Sequence, residues 1–160
     1  MWTPDVYEAI YVTVNVGTFA FIMSMEKDGK PVVSIDSLHL YSRREPGKAL
    51  AMLILLFSLA GVPPLVGFFG KLYVLRAAVD GDLVWLAIAG VIASVIGAFY
   101  YLRIVYYMYF GEERDDVLDK GGSPILYGFL MASAAAMLIG VVNLFGIEAV
   151  AEAAAATLVN

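Results

Sequence analysis

The sequence contains no cysteine and only one histidine, His39. Without cysteine the chain can form neither a disulfide nor a thiolate metal site, and a single histidine argues against a histidine-based metal site. We therefore expect no metal site, no cofactor site and no redox chemistry in the chain itself.

Charged residues are also scarce. They make up 16% of the 160 residues, whereas 61% are hydrophobic, and soluble domains contain about 25% charged residues. This composition leaves too little polar surface for a water-soluble globule and predicts a membrane protein whose surroundings are the lipid bilayer. The net charge of −5 argues against a nucleic-acid partner. The N-terminus carries acids instead of a basic region, so a secretory signal peptide is not expected.

Apolar stretches long enough to cross a bilayer occur four times in the sequence. A crossing helix needs roughly 20 residues, and the stretches cover about 7–25, 49–79, 83–110 and 124–146. We predict an all-α transmembrane protein in which residues 1–160 form a single four-span membrane segment. Residues 26–48 and 111–123 are predicted loops, and Asp28–Gly29–Lys30–Pro31 is a predicted turn.

The distribution of basic residues predicts the orientation, because lysine and arginine in short loops stay on the cytoplasmic side. The two predicted loops carry Lys27, Lys30, Arg43, Arg44, Lys48, Arg114 and Lys120. The opposite side has only Arg76 near a span end. We therefore expect a multi-pass membrane protein, with cytoplasmic loops and both termini on the side away from the cytoplasm.

The second span is predicted to be discontinuous. As one straight helix it would be about 45 Å long, well beyond the hydrocarbon core. Pro63 and Pro64 remove two amide donors, follow Gly61, and free carbonyls one turn earlier, around Leu59 and Ala60. Unpaired backbone at membrane depth requires protein or water around it. This span should therefore lie inside a larger bundle.

Lys71 follows the proline pair in an otherwise uncharged stretch and is the main candidate for function. An ionisable group in hydrocarbon costs several kcal/mol and usually marks an ion pathway. We predict that Lys71 transfers protons; the alternative is a structural salt bridge to a carboxylate on a neighbouring helix. Gly67 and Gly70 would admit a helix or water beside it, and Ser58 is a candidate channel-lining or packing residue.

Other polar residues are weaker candidates. Arg103 either snorkels to the interface along its apolar stem or acts directly in ion transfer. His39 is predicted to be solvated or packed at the surface. The acidic loop of residues 112–119 is predicted to be a solvated connector and not a metal site. Five residues are predicted to hydrogen-bond between helices or to hold water: Asn15, Thr18, Ser58, Ser94 and Asn143. Glu148 and Glu152 are expected to be exposed.

Five sequence runs carry a family resemblance. They are WTPDVYE at 2–8, NVGTFA at 15–20, SLAGVPP at 58–64, GFFGKLY at 67–73 and YYLR at 100–103. They resemble the C-terminal part of the antiporter-like subunit N of bacterial NADH:quinone oxidoreductase, respiratory complex I. The GFFGK run on a broken helix is the most specific of them.

The resemblance implies an enzyme complex in which quinone reduction elsewhere drives proton pumping through this subunit. It implies that Lys71 is the terminal channel lysine, facing the periplasmic exit, and that the bundle is part of an antiporter-like fold. The partners implied are other membrane subunits of complex I, with protons and water. FMN, iron–sulfur clusters and quinone would be bound by other subunits.

One departure from the family pattern concerns the region after Glu8. The family normally continues with Gly-Ala-Pro and helices that carry central lysines, whereas here the chain passes directly into a later helix. We therefore expect a fragment or an internally deleted form. Two further functions stay open: a subunit of a sodium/proton antiporter or membrane-bound hydrogenase, and a non-transporting structural or assembly fragment.

Overall fold

The computed structural model of the protein describes residues 3–63, 65–112, 118–119 and 122–140, with side chains from residue 8 onward. Several predictions concern residues outside these ranges: those for Pro64, Glu113, Asp115, Asp116, Asn143, Glu148, Glu152 and the end of the fourth span.

The described residues are mostly helical. The helices are α1 (Thr3–Met23), α2 (Tyr41–Arg44), α3 (Pro46–Ala60), α4 (Val66–Asp80), α5 (Val84–Phe110) and α6 (Pro124–Gly140). Between α1 and α2 lie strands β1 (Glu26–Lys27) and β2 (Lys30–Pro31) and a 3-10 turn (Ile35–Leu38). Helix α3 begins three residues before the predicted span, because Pro46 takes the first helical turn, where no amide donor is required.

One helix of the described residues, α5, is by itself long and apolar enough to cross a membrane. The apolar helices Glu8–Met23, Pro46–Ala60 and Pro124–Gly140 are shorter. The expectation of four spans therefore stays a prediction at this point.

The turn predicted at Asp28–Pro31 is confirmed. Strands β1 and β2 pair antiparallel, with Glu26 opposite Pro31 and Lys27 opposite Lys30. Asp28 and Gly29 between them have φ values of 52° and 70°. Two successive positive φ angles are typical of the tightest hairpin turns, and Asp-Gly is a favoured pair for them.

The segment between the hairpin and α3 packs back onto the helices. The Leu40 amide donates to the Tyr107 carbonyl of α5 at 3.0 Å. The Tyr41 ring meets Phe21 of α1 edge to face, with 5.6 Å between ring centroids. Burial raises the pKa of the Tyr41 hydroxyl, and the nearby Glu45 carboxylate raises it further, so this phenol stays neutral inside the packing. The segment predicted as a loop is thus ordered and packs against one end of the helix bundle.

Helix α3 is the centre of the bundle and packs against α1, α2, α4 and α5. Leu55 and Ala49 on this helix are fully buried. The core around it includes Val14 and Phe21 from α1, Met108 from α5 and Leu130 from α6. A central α3 holds the start of α4 in place, which determines where Lys71 lies.

Close approach of α1, α3 and α6 depends on Gly17. A Cβ atom at this position would lie 2.6 Å from the Ser133 Cβ of α6 and 2.7 Å from the Leu55 Cδ1 of α3. Both distances are shorter than normal van der Waals contact. Gly17 is therefore a contact surface for two helices.

We predict that Gly17→Ala destabilises the chain by about 1–3 kcal/mol, because the added methyl overpacks the contact with α3 and α6. The measurement is thermal or denaturant unfolding of the purified chain in detergent, followed by circular dichroism. Gly128→Ala in α6 is the matched control, because a Cβ there meets nothing within 4 Å, and both changes raise helix propensity alike. Equal stability of the two variants would contradict this account of the packing.

Candidate functional site at the helix break

The break between α3 and α4 starts at Gly61. This residue has a φ of 80°, a backbone angle that residues other than glycine rarely adopt. Its amide donates to the carbonyls of Phe57 and Ser58 at 3.0 and 3.1 Å, and the Val62 amide donates to the Phe57 carbonyl at 3.0 Å. Helices often end in this way, with a glycine in the left-handed conformation and amides that donate to carbonyls of the last helical turn.

Lys71 of α4 bonds back to the end of α3. Its Nζ donates to the Leu59 carbonyl at 2.7 Å, one of the two carbonyls that the sequence predicted to be free. The last carbonyls of a helix have no partner within it and carry its negative dipole end, which favours a cation. The ammonium thus contacts the negative end of α3 and not the positive end of α4.

The environment of Lys71 is intermediate between buried and exposed within this chain. Its aliphatic stem runs over Gly61, where a Cβ would lie 3.1 Å from Lys71 Cδ. A neutral amine still has two N–H donors, so the bond to the Leu59 carbonyl can persist when the ammonium loses a proton. The site can therefore hold the nitrogen in place in both protonation states.

Ser58 joins three helices at the same break. Its hydroxyl accepts a hydrogen bond from the Gly67 amide in the first turn of α4 at 3.2 Å and donates to Met137 Sδ of α6 at 3.5 Å. Leu65, the residue that precedes α4, makes no side-chain cap bond. Ser58 therefore caps α4 from a different helix, and it is 1% exposed.

The glycines before Lys71 lie where the helices are close. A Cβ on Gly67 would overlap the Ser58 carbonyl, so only glycine allows α4 to approach α3 this closely. Gly70 is buried. The sequence predicted that a helix or water would approach at these glycines, and at Gly67 the helix that approaches is α3.

Two cavities meet at Lys71. The first, called the enclosed cavity below, is a space of about 10 Å³ between α1, α3 and α4 that is more closed than open. The second is a groove of about 320 Å³ between α4 and α5, lined among others by Tyr11, Ser94 and Tyr101. A further groove of about 440 Å³ lies between α1 and α6 and includes Asn15.

Several candidate residues are not part of the Lys71 site. Arg103 lies on the exposed surface of α5, where its Nε and Nη2 donate to the Tyr107 hydroxyl at 3.2 and 3.1 Å. Thr18, predicted to bond between helices or to hold water, donates within α1 to the Val14 carbonyl at 2.8 Å. His39 stacks on Tyr107 with 4.6 Å between centroids, and both of its ring nitrogens are buried without a hydrogen-bond partner in the described structure.

Tyr11 is the site residue that the sequence analysis missed. A signal was available, because Tyr11, Asn15 and Thr18 share one face of an apolar helix at helical spacing. That pattern alone does not distinguish Tyr11 from its two neighbours.

Among the residues that the structure describes, no group of three or more histidine, cysteine, aspartate or glutamate side chains is placed to hold a metal ion.

Comparison with known proteins identifies the family. Residues 4–97 match the family described as NADH:quinone oxidoreductase/Mrp antiporter, transmembrane. The chain belongs to this family. It is therefore a membrane protein, and the family resemblance inferred from the sequence runs is confirmed.

Curated relatives extend the match over nearly the whole chain. The chain is 56% identical over 154 residues to NADH-quinone oxidoreductase subunit N of Rhodobacter capsulatus, covering 96% of this chain and 32% of the relative. It is 60% identical over 158 residues to the subunit of the same name from Jannaschia sp. (strain CCS1), covering 97% and 33%. The chain thus spans about a third of the length of these family members.

A solved structure supports the fold. The chain superposes on a chain of respiratory complex I from Thermus thermophilus with bound aureothin, with a TM-score of 0.72 and 25% identity over 86% of this chain and 31% of that one. The match confirms the coarser part of the fold prediction, a mostly helical membrane-subunit fold.

We predict that Ser58→Ala lowers the free energy of unfolding by about 1–3 kcal/mol, because the Gly67 amide loses a buried acceptor. The loss should appear as a lower unfolding midpoint of the purified chain in detergent. Ser42→Ala, in the partly exposed helix α2, is the matched control and should change the midpoint little. If Ser58→Ala unfolds like the control, the cross-helix cap does not contribute to stability.

Proposed function

We propose that this chain is a proton-translocating part of the membrane domain of an NADH:quinone oxidoreductase, with Lys71 as its proton carrier. The observation that carries the proposal is the position of Lys71, whose ammonium bonds to the Leu59 carbonyl at the helix break, between an enclosed cavity and a groove. The curated relatives named subunit N support the choice of complex.

The membrane arrangement that fits this function has four spans: α1, the pair α3 and α4, α5, and α6. Helices α3 and α4 have 15 residues each, so each alone is about 22 Å long and shorter than the hydrocarbon core of about 30 Å. Together they form one interrupted span. Backbone groups freed by the interruption are bonded by Ser58 and Lys71, as the absence of water in lipid requires.

The mechanism follows from the two protonation states of Lys71. Quinone reduction elsewhere in the complex would change the charges that face this lysine, and the lysine would then release its proton outward. Moving one proton against 100 mV requires about 2.3 kcal/mol, which changes in the solvation and pairing of a membrane lysine can supply. The bond to the Leu59 carbonyl keeps the nitrogen in place during the exchange.

The outward route is assigned to the interface of α4 and α5. The groove beside Lys71 shares Leu75 with a second groove of about 470 Å³, which reaches Arg76 and Asp80 near the end of α4. That end is the one predicted to face the periplasm. The proton would therefore leave along α4, past Leu75, toward this end.

The complex supplies what this chain does not. Other membrane subunits would pack against the exposed apolar faces of the helices, and FMN, iron–sulfur clusters and quinone would be held elsewhere in the complex. Within this chain the transported species would be the proton, and water would be a further small-molecule partner. Both termini would lie on the periplasmic side of the bacterial inner membrane.

A second candidate is a subunit of an Mrp-type sodium/proton antiporter, because the family description covers both systems. A membrane-bound hydrogenase subunit would share the same broken helix. Sodium-dependent proton flux in vesicles would favour the antiporter, whereas NADH-driven flux without sodium favours the oxidoreductase.

We predict that Lys71→Ala reduces NADH-driven proton pumping to about a tenth or less, since a loss of about 1.4 kcal/mol in the transfer step slows it tenfold. The measurement is acidification of inverted membrane vesicles by the oxidoreductase assembled with this chain, together with NADH:quinone reductase activity. Assembly should persist, because Lys71 is only partly buried in the chain.

The matched control is Lys30→Ala, which removes a lysine from the exposed hairpin and should leave pumping unchanged. Normal pumping by the Lys71→Ala complex would overturn the proposed role of this lysine. Absence of pumping in the complex with the unchanged chain would favour a structural role for the chain.

We predict that Lys30 faces the cytoplasm and Leu83 the periplasm. Because the chain has no cysteine, Lys30→Cys and Leu83→Cys each introduce a single reporter, and Leu83 is 43% exposed. In intact spheroplasts a membrane-impermeant maleimide should label the cysteine at 83 and not that at 30, with the reverse result in inverted vesicles. The opposite labelling would reverse the assigned orientation.

A further inference from the structure

Tyr11 of α1 takes part in both cavities at the helix break. Within the described part of the chain, three residues line both the enclosed cavity and the groove between α4 and α5: Tyr11, Leu59 and Lys71. Leu59 contributes an apolar side chain. Tyr11 is therefore the second polar side chain, after Lys71, that borders both spaces.

The enclosed cavity has the size and the lining of a site for one water molecule. Its volume of about 10 Å³ matches the smallest space that holds a single water, provided that two to four polar partners surround it. Lys71, Tyr11 and Ser58 line it. The Ser58 hydroxyl accepts one bond from the Gly67 amide and keeps a second lone pair for a water.

The groove differs from the cavity in size and in access. It holds about 320 Å³ and opens along α5, where Ser94 and Tyr101 add polar groups to its lining. Several waters fit in such a space. A proton that leaves Lys71 for the groove therefore passes from a single-water site to a wider hydrated space, and the Tyr11 side chain borders both.

We infer that the Tyr11 hydroxyl is a further residue of the proton path, which holds the enclosed water beside Lys71 and links it to the water in the groove. This inference rests on the proposed function of Lys71. In the transfer the Lys71 ammonium gives a proton to the enclosed water, which passes one of its own protons to the phenol oxygen. The phenol releases its original proton to a groove water, so that Tyr11 and the enclosed water end unchanged and one hydronium forms.

The test is Tyr11→Phe in the oxidoreductase assembled with this chain, because phenylalanine keeps the ring and its packing and removes only the hydroxyl. Tyr100→Phe is the matched control. Tyr100 lies on α5, is 59% exposed and lines neither the enclosed cavity nor the groove. Both variants should assemble, as measured by native gel and by NADH oxidation with an artificial acceptor.

We expect Tyr11→Phe to slow NADH-driven pumping about three- to tenfold, the effect of losing one hydrogen bond between uncharged groups, here the phenol and a water. The ratio of the rates in H2O and D2O should rise in the same variant, because proton transfer becomes the slow step. Loss of packing alone would lower the rate or the assembly without raising this ratio. The Lys71→Ala, Tyr11→Phe double variant should lose no more than Lys71→Ala alone.

Three results would overturn the inference: normal pumping by Tyr11→Phe, slower pumping with an unchanged isotope ratio, or a further loss in the double variant. The proposed function is tested separately by Lys71→Ala. If that single variant abolishes pumping while Tyr11→Phe pumps normally, the role of Tyr11 fails and that of Lys71 stands.

Discussion

The requirement that backbone groups be hydrogen-bonded at the break between α3 and α4 shapes the rest of the structure. Two side chains meet it: Lys71 donates to the Leu59 carbonyl at the end of α3, and Ser58 accepts from the Gly67 amide at the start of α4. An unpaired amide or carbonyl would cost several kcal/mol in lipid. Because the lysine that bonds to the end of the helix is also the proposed proton carrier, one contact would serve both stability and the proposed function.

Small residues make this contact possible by letting the helices approach each other. Gly67 allows α4 to lie against the Ser58 carbonyl, and Gly17 allows α1 to contact both α3 and α6. Near the end of α6, a Cβ on Gly140 would lie 2.8 Å from Val66 Cγ2 in the first turn of α4. In a membrane, where apolar helices gain little from leaving lipid, such close packing is a main source of association. The glycines therefore hold the start of α4, and with it Lys71, against the central helix α3.

Much of the fold was predictable because its signals are local. The scarcity of charge predicted a membrane protein, Asp28-Gly29 predicted a turn, and the GFFGK run predicted the family. Helix ends were less predictable, as α3 shows by starting at Pro46. Thr18 was predicted to bond between helices or to hold water, yet its hydroxyl donates to the Val14 carbonyl within its own helix. A sequence pattern does not distinguish these partners. The Arg103 guanidinium likewise donates to a group of its own helix, the Tyr107 hydroxyl one turn away.

The sequence by itself determined the membrane setting, the family and the two elements of the site that are local to one stretch of chain: a helix-breaking proline pair and a lysine after it. Only the tertiary structure decided which groups these elements meet. The hydroxyl of Ser58 caps a helix to which it does not belong, and Tyr11 comes to Lys71 from α1. Contacts of this kind depend on helix packing, where a rotation of a few tens of degrees about a helix axis changes the facing side chain. Periodicity along one helix does not specify that rotation.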